Sequence, residues 1–198
     1  MKGCDMMSVS LSNISKRFDD NLVLEDFSLF INNNENIAIM GESGRGKTTL
    51  LNIIAGIIKP DSGSLSGADN KKIAYVFQED RLAENFTVYR NIKLACDNSV
   101  NKKTVAEALE AIGLDKKLVS AKVCTLSGGM KRRVAILRAI LSKSDLILLD
   151  EPTKGLDEQN KNTVIEYILH NTADIPVIWV THDEKEAQLV SERVIWLR

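Results

Sequence analysis

The 198 residues carry 26 basic and 27 acidic side chains, a formal net charge of −1, with 44% hydrophobic and 27% charged residues. That length supports one domain with a real core, and the balance excludes a disordered chain, a fibre and a general electrostatic attraction to nucleic acid. Three widely spaced cysteines (Cys4, Cys96 and Cys124) form no CxxC pair, so neither a disulfide framework nor a zinc site is indicated, and a reducing compartment is expected.

Along the chain, residues 7–18 and 22–31 read as strands, with Asn32-Asn33-Asn34 as a polar turn. Residues 36–40 form a short apolar run ending at a glycine, as a buried parallel strand does. A helix over 47–57, stopped by Gly56 and Pro60, follows. Residues 73–77 are strand-like, and 86–142 are mostly helical: Val88–Leu94, Lys103–Ile112 and Gly128–Leu141. Strands Leu146–Leu149 and Val177–Val180 flank a helix over 158–171, and a helix Glu184–Ser191 and a strand Arg193–Leu197 close the sequence. This order predicts an α/β fold: a P-loop NTPase core with a mostly parallel sheet, an N-terminal antiparallel β region and a helical lobe. The expected division is a single domain over 1–198, with a core of 1–78 and 143–198 and a lobe over 79–142. Residues 1–8 lack the apolar core expected of a signal peptide, and no run approaches the roughly 20 apolar residues of a membrane span. A membrane role would need another chain.

Gly41-Glu42-Ser43-Gly44-Arg45-Gly46-Lys47-Thr48 matches GxxxxGK[ST] between a strand and a helix. Its glycines let the backbone approach phosphates, and the amides that open the helix face the anion. Lys47 is expected to reach the β/γ-phosphates and Thr48 to offer its hydroxyl to Mg²⁺. Farther on, Leu146–Leu149 ends in Asp150-Glu151. Asp150 is suited to hold Mg²⁺ and Glu151 to orient or deprotonate a water, and the strand pleat would separate their side chains.

Leu126-Ser127-Gly128-Gly129-Met130-Lys131-Arg132-Arg133 resembles the LSGGQ signature of the ATP-binding-cassette (ABC) transporter nucleotide-binding subunits, with Met130 in place of glutamine. The resemblance runs from about Ser10 to Arg198. It implies that Ser127, Gly128, Gly129 and Met130 serve the ATP of a second subunit, a copy or a paralogue, packed head-to-tail. It further implies that Phe18 stacks on adenine; the residue-level alternative is a core aromatic. Thr49 joins the phosphate loop, where the family often has serine before it. Gln78 matches the Q-loop glutamine that touches Mg²⁺ and the attacking water. Asp157, in Gly155-Leu156-Asp157, matches the D-loop at the dimer interface and is equally a helix cap. His182 matches the switch histidine, and His170 reads as a surface residue. Lys131-Arg132-Arg133 reads first as a solvated helix face and alternatively as support for the partner's phosphates. Val123-Cys124 stand where the family often shows Pro or Tyr, and no regulatory domain is expected after the last strand.

The family reading gives ATP hydrolysis with Glu151, His182, Lys47 and Gln78 as catalytic residues, powering solute transport through transmembrane permease subunits. Glu79, Asp80 and Arg81 would meet a short helix of that permease. The subunit would sit peripherally on the cytoplasmic face of the membrane, in an importer with an extracytoplasmic solute-binding protein. The segment resembles importers of the nitrate, sulfonate or taurine type. A DNA-repair ATPase needs a long coiled-coil insertion, and the 47 residues between Gln78 and Leu126 are too few for one. The ribosome-acting type carries two cassettes in one chain. An iron–sulfur assembly scaffold shares these motifs and stays open at this level.

Overall fold

The computed structural model describes residues 9–69 and 71–197. Strands β1 (Val9–Phe18), β2 (Asn21–Ile31) and β4 (Ser62–Ser66) make an antiparallel sheet in the order β2-β1-β4. Residues 7 and 8 of the predicted first strand lie outside the described residues. The five-stranded sheet is parallel throughout. Its order is β5 (Ile73–Val76), β6 (Leu146–Asp150), β7 (Val177–Val180), β3 (Asn36–Met40) and β8 (Arg193–Trp196).

The side-chain period of two sorts the central strands into two cores. Leu146, Leu148, Ile178, Val180, Ile37 and Ile39 face α1 (Lys47–Ile54) and the antiparallel sheet. Ile147, Leu149, Val177 and Trp179 face the opposite core, with side chains of α2 (Val88–Lys93), α3 (Lys102–Ala111), α4 (Gly128–Leu141) and α5 (Glu158–Asn171). Helix α6 (Glu184–Val190) adds Ala187 against Ala38 and Met40. A strand buried on both faces must be apolar along its length, and β6 is from Leu146 to Leu149, before it ends at Asp150. Leu50, Leu51, Ile53 and Ile54 fix α1 beneath the sheet, and full burial of such a side chain stabilises by about 1.5–3 kcal/mol.

One strand departs from the sequence reading. Strand β4, Ser62-Gly63-Ser64-Leu65-Ser66, has no apolar alternation and was not expected; it is held by backbone pairing to β1. Residues Lys116–Ser120 and Val123–Thr125, which lie between the helices read from the sequence, form 3₁₀ turns. Cys96 and Cys124 are free thiols, and Cys4 lies outside the described residues. Among the described residues no helix is long and apolar enough to cross a membrane.

Candidate nucleotide site

The apolar strand β3 delivers the chain to Gly41, and the loop 41–46 turns it back into α1. Gly46, the residue before the helix, has φ +85°, and a Cβ there would come within 2.7 Å of Val23 Cγ1. Only glycine meets both demands. The helix start places Lys47 in a buried position, where its ammonium donates to the carbonyls of Gly41 (2.7 Å) and Glu42 (2.8 Å). Arg45 instead pairs with Glu42 at the surface.

A cavity of about 280 Å³ opens above the loop, bordered by Val23, Ser43, Gly44, Gly46, Lys47, Thr48, Thr49, Gln78, Asp150 and Glu151. Residues more than a hundred apart in sequence therefore share one wall: the Thr48 hydroxyl donates to Asp150 Oδ2 at 2.7 Å. Burial pushes the Asp150 carboxyl up, the Glu151 charge adds to this, and the Thr48 hydrogen bond opposes it.

Glu151 does not continue the strand pleat. Its φ of +48° is rare for a non-glycine residue, and both Asp150 and Glu151 border the cavity. The expected separation of the two carboxylates by strand alternation is thus replaced by a break in the strand itself. Lys154 Nζ lies 2.6 Å from Glu151 Oε2, and His182 Nδ1 lies 3.5 Å from Oε1. Burial alone would raise the Glu151 carboxyl; Lys154 and His182 outweigh it and hold the group below its ordinary range.

Gln78 is held through its backbone. Arg132, on the second turn of α4, donates to the Phe77 carbonyl at 2.6 Å and also to the Gln78 carbonyl, and lies 3.3 Å from Asp80. Arg133 donates to the Gly113 carbonyl (2.9 Å) and Asn160 Oδ1 (2.7 Å). Both arginines are buried, so the solvated-face reading of Lys131-Arg132-Arg133 is wrong. Their carbonyl partners, distant in sequence, draw the guanidinium groups inward. Only Lys131 stays near the surface, paired with Glu84. Arg132→Met is expected to cost about 2–3 kcal/mol, because it strands two carbonyls and Asp80. Chemical denaturation measures that loss; an unchanged midpoint would remove the clamp.

The remaining motifs lie outside this cavity. Ser127 caps α4, accepting from the Met130 amide at 3.4 Å, and none of Ser127, Gly128, Gly129 and Met130 borders the cavity. Gly129 lies against Leu156: a Cβ there would be 3.2 Å from its side chain. Asp157 caps α5, accepting from the Asn160 amide at 2.9 Å. Phe18 is 43% exposed near the β1–β2 turn, with Lys16 Nζ 5.4 Å from its ring centre; it is no core residue, nor does it border the cavity. His182 is largely exposed beside Glu151, and His170 is exposed. Of the three proposed permease contacts, Asp80 is turned toward Arg132, while Arg81 lies over the Phe77 ring at 3.8 Å.

Sequence reasoning missed three contributors. Val23 borders the cavity from an ordinary strand. Lys154 had only its i+3 spacing from Glu151 to mark it. Glu186, buried on α6, accepts from Thr153 Oγ1 (2.8 Å) and Trp179 Nε1 (2.7 Å) and pairs with Lys161 (3.1 Å). It thereby ties together the loop after Glu151, strand β7 and helix α5.

A phosphate loop, a strand-end carboxylate pair and a signature-like helix start on one α/β domain define a nucleotide-binding cassette. The chain belongs to the ABC transporter family, whose model matches residues 24–154. It is 35% identical over 202 residues to the spermidine/putrescine import ATP-binding protein PotA of Fusobacterium nucleatum, covering 94% of this chain and 54% of the relative. It is 32% identical to the ergothioneine transport ATP-binding protein EgtV of Helicobacter pylori, covering 96% and 97%. The chain thus spans about half the length of the PotA relatives and nearly all of EgtV. Among solved structures, it superposes on the dimeric ATP-binding cassette MJ0796 in a post-hydrolysis state bound to ADP and Pi. The TM-score is 0.85 at 30% identity, covering 96% of this chain and 94% of that one.

Proposed function

We propose that this chain is the ATP-hydrolysing subunit of a membrane importer, acting as a head-to-tail dimer on transmembrane permease subunits. The observation that carries the reading is the convergence of Lys47, Thr48, Gln78, Asp150 and Glu151 on one cavity. The names of PotA and EgtV support transport, and the dimeric MJ0796 cassette supports pairing. The core would comprise residues 1–78 and 143–198 and the lobe 79–142. A peripheral place on the cytoplasmic membrane face and an extracytoplasmic solute-binding protein complete the assembly. The resemblance to importers of the nitrate, sulfonate or taurine type has no counterpart in the names of these relatives, which are spermidine/putrescine, ergothioneine and, for CysA, sulfate/thiosulfate. Solute choice is assigned to the permease and binding protein.

In this reading, the loop amides of residues 43–48 and the Lys47 ammonium hold the triphosphate, and Phe18 stacks on the base. Mg²⁺ fits the oxygen donors present, the Thr48 hydroxyl, the Asp150 carboxylate and the Gln78 amide. When bound, it would neutralise charge on the phosphate oxygens. Glu151 takes a proton from the water that attacks the γ-phosphorus as the bond to the ADP oxygen breaks. Lys47 and His182 stabilise the charge that develops.

The purified chain is therefore expected to release phosphate from ATP with saturation in ATP and dependence on added Mg²⁺. A phosphate-release assay with and without a chelator checks this. Saturable nucleotide binding without any Mg²⁺-dependent release would reduce the chain to a binding module.

A further inference from the structure

Glu151 stands between two cavities. One is the 280 Å³ cavity that holds Lys47 and Asp150; the other, of about 360 Å³, is bordered by Lys154, Leu156, Lys161, His182 and Glu186. Glu151 borders both, while the two cations that engage its carboxylate, Lys154 and His182, border only the second. The Lys154 contact is built locally. Its amide donates to the Glu151 carbonyl at 3.1 Å, closing a turn that folds the lysine back over the carboxylate. The Lys154 side chain is nevertheless 49% exposed, so its ammonium can be reached from outside.

We infer that Lys154 is a positioning residue: it holds the Glu151 carboxylate toward the second cavity and so restrains ATP hydrolysis until a partner surface draws the ammonium away. The inference rests on Glu151 being the base proposed above. The lysine half of this pair faces solvent while Glu151 is largely buried, and an ion pair open to water on one side is a weak restraint, so the device tunes the basal rate rather than acting as an on–off switch. A carboxylate or carbonyl of a second copy, presented to the exposed lysine on dimer closure, has the chemistry to release it.

Steady-state kinetics of the intact chain separate the two readings. Lys154→Ala and Lys154→Met are expected to raise basal kcat about two- to fivefold with KM for ATP unchanged. Lys154→Arg, which can remake the pair, should stay at the wild-type rate. Circular dichroism confirms that each variant is folded, and the half-exposed position makes that a mild demand. A kcat that fails to rise in the Ala and Met variants overturns the restraint, while an inactive Glu151→Gln control leaves the base in place. A Glu151→Gln chain as active as wild type removes the base and this inference with it.

Discussion

Replacing Glu151 with glutamine is expected to lower ATP turnover by about a hundred- to ten-thousandfold while leaving ATP affinity intact. The amide matches the carboxylate in size but cannot take a proton from water. Lys47, Thr48 and Asp150, which border the same cavity, are untouched. Binding and turnover should therefore separate: equilibrium titration with ATP reports an unchanged midpoint, and phosphate release falls. If ATP closes the dimer and hydrolysis reopens it, the variant should also elute as a dimer in the presence of Mg²⁺ and ATP. Glutamine additionally weakens the contact with Lys154, which by itself should speed turnover, so the expected fall cannot come from losing that pair. Phosphate release at the wild-type rate would remove Glu151 as the base.

Much of this architecture can be read from local chemistry, because the buried parallel strands and the phosphate loop are governed by short-range rules. Residues 146–149 read as a strand covered on both faces, and the run Gly41–Thr48 needs its glycines where the backbone turns positive in φ. What escapes is set by partners far away in sequence. Strand β4 has no pattern of its own and exists because β1 offers it a ladder. Arg132 and Arg133 sit in a run of three cations that any local rule places in water; carbonyls 20 and 55 positions distant bring them inside. The Glu151 side chain follows a left-handed break in the strand rather than the pleat, and neither Pro152 nor Lys154 announces that break. The site motifs are thus visible as residue types, while the contacts that orient them belong to the tertiary structure.

The proposed head-to-tail dimer makes the sharper demand. Ser127→Arg is expected to leave the fold and ATP binding to one chain intact while cutting turnover about a hundredfold or more. Within one chain the change is mild. Ser127 is exposed, its 3.4 Å cap to the Met130 amide is long, and a Cβ built on the adjacent Gly128 meets no atom within 4 Å. The cap is worth about 1 kcal/mol, too little to unfold the domain. A large loss of turnover must then arise on a second subunit, where a bulky guanidinium would intrude on the phosphates. Mixing gives the decisive form of the test. Lys47→Ala disables its own phosphate loop but keeps a normal signature; Ser127→Arg has a sound loop and a damaged signature. In a mixed dimer one site combines the sound loop with the sound signature, and the other combines both lesions. Two inactive preparations should therefore regain phosphate release on mixing, above the sum of their separate rates. If each site were completed by its own chain, mixing would restore nothing, and the placement of Ser127 outside the cavity would need a role other than completing a partner's site.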